Sequence, residues 1–452
     1  MSLRYNKFHM QINKHQVWIV SFLFLICSCV NGSPGSSDNS SVAKEDNQGK
    51  DPVKEGSASQ YTINQPASNP VVNVYLEISG SMNGYVNGGT SIFQQVVKEY
   101  LSGINNSSFA SSVNYFYINN KIIPKGNDLQ NFITKLTPSS FAISGGGATT
   151  DIGLLFKTIL GKMDDNTISI FISDCIISPG SNNDTDAYAR GQMIDVRDAI
   201  VGYTNQFGDL ACLVYQFNSG FKGRYFDYRN KPRMVDMQRP FYIWVFGNTA
   251  NLALLKLQYV PDSDFKVAPI RNQWMIFNTP LSKLQNNNKY GILLPNNFKN
   301  GKYSRVNATT IKGVQKSDSF YRFSFGANLL IAQYLMGDDY IEETNNYNGI
   351  IDKAVREKFY GVIEKDFSKK SPYSEIFRVD SDSPFQKGIF SIAFIPKVPN
   401  WAYENSDNDD STFNGSNDNK TYGLSNIFEG VYNGFNSGGH INILAQFDFE
   451  IK

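Results

Sequence analysis

Over 452 residues, 42 lysines and arginines are balanced by 41 aspartates and glutamates, for a formal charge of +1. That balance removes any global electrostatic case for nucleic acid or an anionic membrane as the partner. Length alone predicts about two or three domains. The only histidines are His9, His15 and His440, too few for a histidine zinc site or for a triad built on any histidine but His440.

Met1 to Gln16 is basic and free of acids, and Val17 to Ile26 (VWIVSFLFLI) is a short apolar run. The run is about half the length needed to span a bilayer, so it reads as the core of a signal peptide over residues 1–28. Its end, Ile26-Cys27-Ser28-Cys29, resembles a bacterial lipobox, with an aliphatic residue three before and a small residue one before the modified cysteine. That resemblance implies an acylated Cys29 at the mature amino terminus and a place in the cell envelope, on the outer membrane or surface of a Gram-negative bacterium. Acyl chains contribute roughly 0.8 kcal/mol per buried CH₂, so several on one residue make a lasting anchor. Residues 29–69 are rich in Ser, Gly, Asn, Asp and Lys, cannot bury a core, and are expected to be a disordered tether. A flexible chain of that length spans roughly 35 Å.

From Val71 to about Val260 strand-like and helix-like runs alternate. Val71–Ile78, Ser112–Ile118, Thr167–Ser173, Leu210–Phe217 and Pro240–Phe246 read as strands. Thr90–Leu101, Asp128–Leu136, Asp151–Met163 (capped by Thr149 or Thr150), Asp186–Gln206 and Ala250–Gln258 read as helices. This order predicts an α/β domain over 70–262, a doubly wound, mostly parallel sheet with helices on both faces. Ligands of such sheets sit beyond the carboxyl ends of the strands. There Glu77, Ser79 and Ser81 occupy alternate positions and can aim their oxygens at one point, the all-oxygen setting a hard cation needs.

Glu77-Ile78-Ser79-Gly80-Ser81-Met82 resembles the Asp-x-Ser-Gly-Ser-Met signature of von Willebrand factor A domains. Gly147-Ala148-Thr149-Thr150-Asp151-Ile152-Gly153 resembles the family's second motif, a threonine opening a helix. Ile170-Phe171-Ile172-Ser173-Asp174 resembles its third, an apolar strand ending in aspartate. Together these imply a metal-ion-dependent adhesion site. Ser79, Ser81 and Thr150 would offer hydroxyls, with Thr149 the fallback if the register slips by one. Glu77 and Asp174 would offer carboxylates, and one position would stay open for a partner's acid. Mg²⁺ is the implied ion, with Ca²⁺ or Mn²⁺ as alternatives. The departure is Glu77, where the family has aspartate. Its extra methylene leaves three outcomes: direct ligation, preference for a larger ion such as Ca²⁺, or a site filled by its own side chain and empty of metal.

On the rim, Cys175 stands where the family commonly has glycine. Residues 218–238 mix Arg224, Arg229, Lys231 and Arg233 with Phe221, Tyr225, Phe226 and Tyr228. Such a mixture can stack on sugars or take acidic groups; an insertion packing its aromatics on the domain is the favoured reading. Cys175 and Cys212 fall at opposite strand ends, too far apart to bridge, and are expected as thiols.

Residues 263–452 predict a β-rich, sandwich-like or α+β domain. Strands are expected at Lys289–Leu294, Ser319–Gly326, Leu329–Tyr334, Gly388–Pro396 and Ile441–Ile451, and helices at Asn348–Ile363 and Leu424–Tyr432. Asp410-Ser411-Thr412-Phe413-Asn414-Gly415 begins like a calcium loop, but its twelfth position is Thr421 rather than a bidentate glutamate, so a solvated Asn/Asp loop is expected. Asp338, Asp339, Glu342 and Glu343 read as a charged surface turn, and no nucleophile elbow or phosphate loop occurs.

The reading is therefore a non-enzymatic, lipid-anchored binding protein that engages a protein or glycan partner through the adhesion site. A metal-free scaffold subunit of an envelope assembly is the alternative, and an envelope hydrolase the least favoured. Cys29→Ser is predicted to move the protein from the membrane fraction to the soluble one; an unchanged membrane fraction would refute the anchor.

Overall fold

The computed structural model describes residues 68–452 apart from 146–150, 178, 180–183, 286–287, 296–300, 318, 352–353, 357–359, 366–371 and 416. The signal segment, nearly all of the tether, Cys29, Thr149 and Thr150 lie outside the described residues. The first part of the chain runs β1 (Val71–Glu77), α1 (Ile92–Asn105), β2 (Ser112–Ile118), β3 (Ile122–Gly126), α2 (Leu129–Thr134), α3 (Pro138–Ile143), α4 (Ile152–Leu160), β4 (Thr167–Ser173) and α5 (Thr185–Phe207). It continues through β5 (Ala211–Phe226), β6 (Pro232–Gly247), α6 (Thr249–Leu254) and β7 (Asn272–Phe277). Local chemistry opens the helices, within a residue or two of the expected starts but not always with the expected cap. Ser91 and Gln94 form a reciprocal capping box on α1. On α4 the cap is Asp151, whose carboxylate accepts from the Leu154 N–H at 2.8 Å.

These strands form a seven-stranded sheet in the order β3-β2-β1-β4-β6-β5-β7. Its centre is parallel, with β1 between β2 and β4, and all of β4 is buried, Ile168, Ile170, Phe171 and Ile172 together with the small polar Thr167, Ser169 and Ser173. Outside that centre the sheet departs from the expectation. β5 and β6 are not separate strands flanking an insertion but two sixteen-residue arms of one hairpin. The hairpin sets β6 antiparallel beside β4. Alternation in the outer half of β5 shows why: Ser219, Phe221, Gly223 and Tyr225 are buried while Gly220, Lys222 and Arg224 are exposed. The aromatics thus pack inward, as favoured above. The turn is tied by Asp227, whose carboxylate accepts from the N–H groups of Arg229 and Lys231, with Asn230 at φ +57°.

Helices cover both faces. On one, Phe93 of α1 packs on Phe241 and Tyr100 stacks on Phe265. On the other, Phe156 of α4 packs edge-on to Phe171, Trp244 and Phe246. Cys175 and Cys212 are free and buried.

Beyond residue 262 the chain adds α7 (Leu281–Leu284), β8 (Tyr290–Ile292), β9 (Lys302–Arg305), β10 (Thr310–Ser317), β11 (Phe320–Ala327), α8 (Leu330–Met336) and α9 (Asp338–Glu342). There follow β12 (Tyr347–Ile351), β13 (Ala354–Arg356), β14 (Tyr360–Lys365), β15 (Glu375–Ser381) and β16 (Gly388–Phe394). The series closes with α10 (Asn400–Glu404), β17 (Ser406–Asp407), β18 (Thr421–Tyr422), α11 (Leu424–Phe435) and β19 (Ala445–Ile451). Ten of these strands make the second sheet, with the path β13-β12-β16-β19-β10-β11-β15-β14 and β8 and β9 attached to β11 and β10. Two expectations fail here. Leu329–Tyr334 is not a strand but part of α8, whose buried Ile331, Ala332, Leu335 and Met336 follow helical spacing. The described residues of Asn348–Ile363 are not helical but belong to β12, β13 and the start of β14, with β12 paired to β16 and β14 to β15.

The boundary expected near 262 is crossed twice, because β7 extends the first sheet and α11 lies against α5. The described residues form one compact unit. The approach of α11 to α5 is close: a Cβ on Gly430 would lie 2.7 Å from the Met193 carbonyl oxygen and 2.8 Å from Val196 Cβ. Gly430→Ala gains about 1 kcal/mol of helix propensity but overpacks against a backbone atom that cannot swing aside, a cost of about 1–3 kcal/mol. A net loss of stability in urea unfolding is predicted; a gain would show that the helices can separate freely.

Candidate functional site

Because β1 and β4 are parallel neighbours in register up to Leu76 and Ile172, their carboxyl ends are level and their following loops lie side by side. After β1 the chain makes a 3₁₀ turn over Ser81–Tyr85, and the hydroxyls of Ser79 and Ser81 lie 2.9 Å apart. After β4 come Asp174 and then Cys175, which holds φ +57°, a left-handed conformation that favours glycine. Glu77, Ser79, Ser81 and Asp174 are 1%, 5%, 7% and 1% exposed. Four of the five expected site residues therefore meet at one edge; Thr150, the fifth, lies outside the described residues.

The two carboxylates are treated differently. Glu77 accepts a hydrogen bond from the Ser173 hydroxyl, which in turn accepts from the Cys175 N–H at 2.8 Å. Its longer side chain is thus turned along β4. Asp174 Oδ1 accepts from the Ile176 N–H at 3.3 Å, while Oδ2 is buried without a protein hydrogen-bond partner. Burial pushes the Asp174 carboxyl up from its usual value, opposed by the Ser81 hydroxyl, the Ile176 amide and the Arg239 guanidinium. Burial likewise raises the Cys175 thiol, to whose sulfur Trp244 Nε1 donates at 3.2 Å, so this cysteine is inert rather than nucleophilic.

Arg239 is the residue the sequence did not disclose. It is buried at the inner end of the hairpin arm, donates to the Asp418 carbonyl at 2.8 Å and to the Tyr225 hydroxyl at 3.3 Å, and lies over the rings of Tyr225 and Phe413. Asp174 and Asp410 both stabilise its charge. Asp410 itself corrects the expectation of a solvated loop: it and Thr421 are fully buried. Asp410 accepts from the Tyr225 hydroxyl and from the Tyr228 N–H at 2.7 Å. Asp338, Asp339 and Glu343 line a cleft of about 1190 Å³ with Tyr334, Trp401 and Arg271.

Among the described residues no three His, Cys, Asp or Glu side chains gather to hold a metal. The β1–β4 edge is instead a hydroxyl-rich set with one unsatisfied carboxylate oxygen, which suits a hard cation better than a soft one. No family model, no curated protein and no solved structure matches this chain.

The unsatisfied carboxylate has a pH signature. A carboxyl raised above its unfolded value of 3.8 binds its proton more tightly in the folded state, so stability is lost as pH rises through the folded value. In chelator, Asp174→Asn removes that loss. The stability difference should swing in favour of the variant as pH rises above 3.8 in urea unfolding; a flat difference would refute the assignment.

Proposed function

We propose that this chain is an exported, lipid-anchored binding protein of the von Willebrand factor A type that captures a protein or glycan partner through a divalent-cation site at the β1–β4 edge. One observation carries the reading: the buried Asp174 carboxylate, whose Oδ2 finds no well-formed protein hydrogen bond, lies near the Ser81 hydroxyl of the Ser79–Ser81 pair. A buried carboxylate oxygen with no donor is costly, and a cation would relieve it. Ser79, Ser81 and Asp174 would hold the ion, with Thr150 as the further hydroxyl implied by the resemblance. Mg²⁺ is the favoured ion, and it would offer a partner's carboxylate a Lewis-acid contact. Glu77, one of whose carboxylate oxygens is held by Ser173, would be drawn away from the ion by that bond.

The metal-free scaffold remains the second reading, and two observations favour it. Glu77 is already engaged by Ser173, and Arg239 already supplies positive charge near Asp174. Calorimetry with Mg²⁺ and Mn²⁺ on the full chain separates the two. The first reading expects one bound cation, lost in Asp174→Ala and bound about tenfold more tightly, roughly 1.4 kcal/mol, in Glu77→Asp, whose shorter side chain falls away from Ser173. No heat in either the unaltered chain or Glu77→Asp, with partner capture in a pull-down unaffected by Asp174→Ala, would replace it with the scaffold.

A further inference from the structure

The chain's own carboxyl-terminal part packs on the hairpin and on Ile177 of the loop after β4, beside the β1–β4 edge. Residues 406–415 and 417–422 form a strap that leaves α10 through β17 and returns through β18 into α11. Along it Asp410 is held by the Tyr225 hydroxyl and the Tyr228 N–H, and its carbonyl accepts from Arg233. Phe413 packs edge-on to Tyr225 at 5.0 Å, with the Arg233 and Arg239 guanidinium groups over its ring. Further on, the Thr421 and Tyr242 hydroxyls lie 3.1 Å apart, and Tyr242 is the cross-strand partner of Ser173, one residue before Asp174. Gly423, at φ +72°, crosses so near Ile177 that a Cβ would lie 2.7 Å from its side chain. The hairpin arm that the strap grips presses in turn on the 3₁₀ turn carrying Ser81. A Cβ on Gly84 would meet the Phe221 ring at 2.3 Å, and the Tyr85 hydroxyl donates to the Pro240 carbonyl at 2.5 Å.

Strap and arm thus lie against the segments next to the site groups, which are themselves buried. The strap's hold is mainly polar, made of hydrogen bonds and cation–ring contacts that water can replace, with Phe413 and Tyr422 as its aromatic anchors. We propose that the strap is an autoinhibitory latch: seated, it closes the Ser79–Ser81–Asp174 edge, and a partner gains that edge only after Asp410 leaves Tyr225 and Tyr228. The inference rests on the edge being the partner site, but its closure is measurable without partner or metal.

Cys175, fully buried next to Asp174, reports on the latch, and Cys212, fully buried inside the sheet, reports on global opening. Maleimide labelling of the full chain, resolved cysteine by cysteine by mass spectrometry, reads both rates. Asp410→Ala is expected to speed Cys175 labelling by about tenfold or more with Cys212 unchanged, and amide exchange across 406–415 and 417–422 to quicken with it. Tyr225→Phe, a milder change, should move both in the same direction. Equal acceleration of Cys175 and Cys212, or an unchanged Cys175 rate in both variants, would overturn the latch. Terbium luminescence on the same variants tests the underlying reading separately. If Tb³⁺ binds none of them, the cation site falls, while the labelling still decides the latch.

Discussion

The parallel pairing of β1 with β4 is the constraint on which the rest of the site depends. It ends two buried strands at the same level, so the Ser79–Ser81 turn and the Asp174 loop share one edge, and Ser173 comes within reach of Glu77. Parallel strands are covered on both faces, and the helices α1 on one side and α4 with α5 on the other provide that cover.

Placing acids at such an edge creates an electrostatic problem, and the chain meets it unevenly. Glu77 is satisfied by Ser173. Asp174 retains an oxygen without a donor. Arg239, buried between the hairpin arm and the strap, is shared between Asp174 and Asp410. A buried guanidinium with two carboxylates in its field couples whatever happens at one to the other, because removing either leaves charge uncompensated in a medium that screens poorly.

The carboxyl-terminal half is not an appendage. It lends β7 to the first sheet and lays α11 on α5, and it threads the strap across the hairpin. Phe428 of α11 touches both Trp244 of β6 and Trp274 of β7, so this carboxyl-terminal helix packs on two strands of the first sheet.

The sequence by itself determined what depends on neighbours in the chain. The apolar runs marked Val71–Ile78 and Thr167–Ser173 as strands, the helical spacing of Ile92, Phe93, Val96, Val97 and Leu101 marked α1, and the residues Glu77, Ser79, Ser81 and Asp174 were legible as one edge because strand ends in an α/β sheet collect there. What only the tertiary structure decided depends on partners far along the chain. Whether Leu329–Tyr334 coils or extends was settled by what its apolar face packs on, and Asn348–Ile363 became strands because β15 and β16 offered edges. The insertion of β6 beside β4, the turning of Glu77 onto Ser173 across 96 residues, and the burial of Asp410 against Tyr225 across 185 leave no local pattern. Periodicity reports which face of an element is apolar; it carries no record of which distant group will meet a charge once that face is buried.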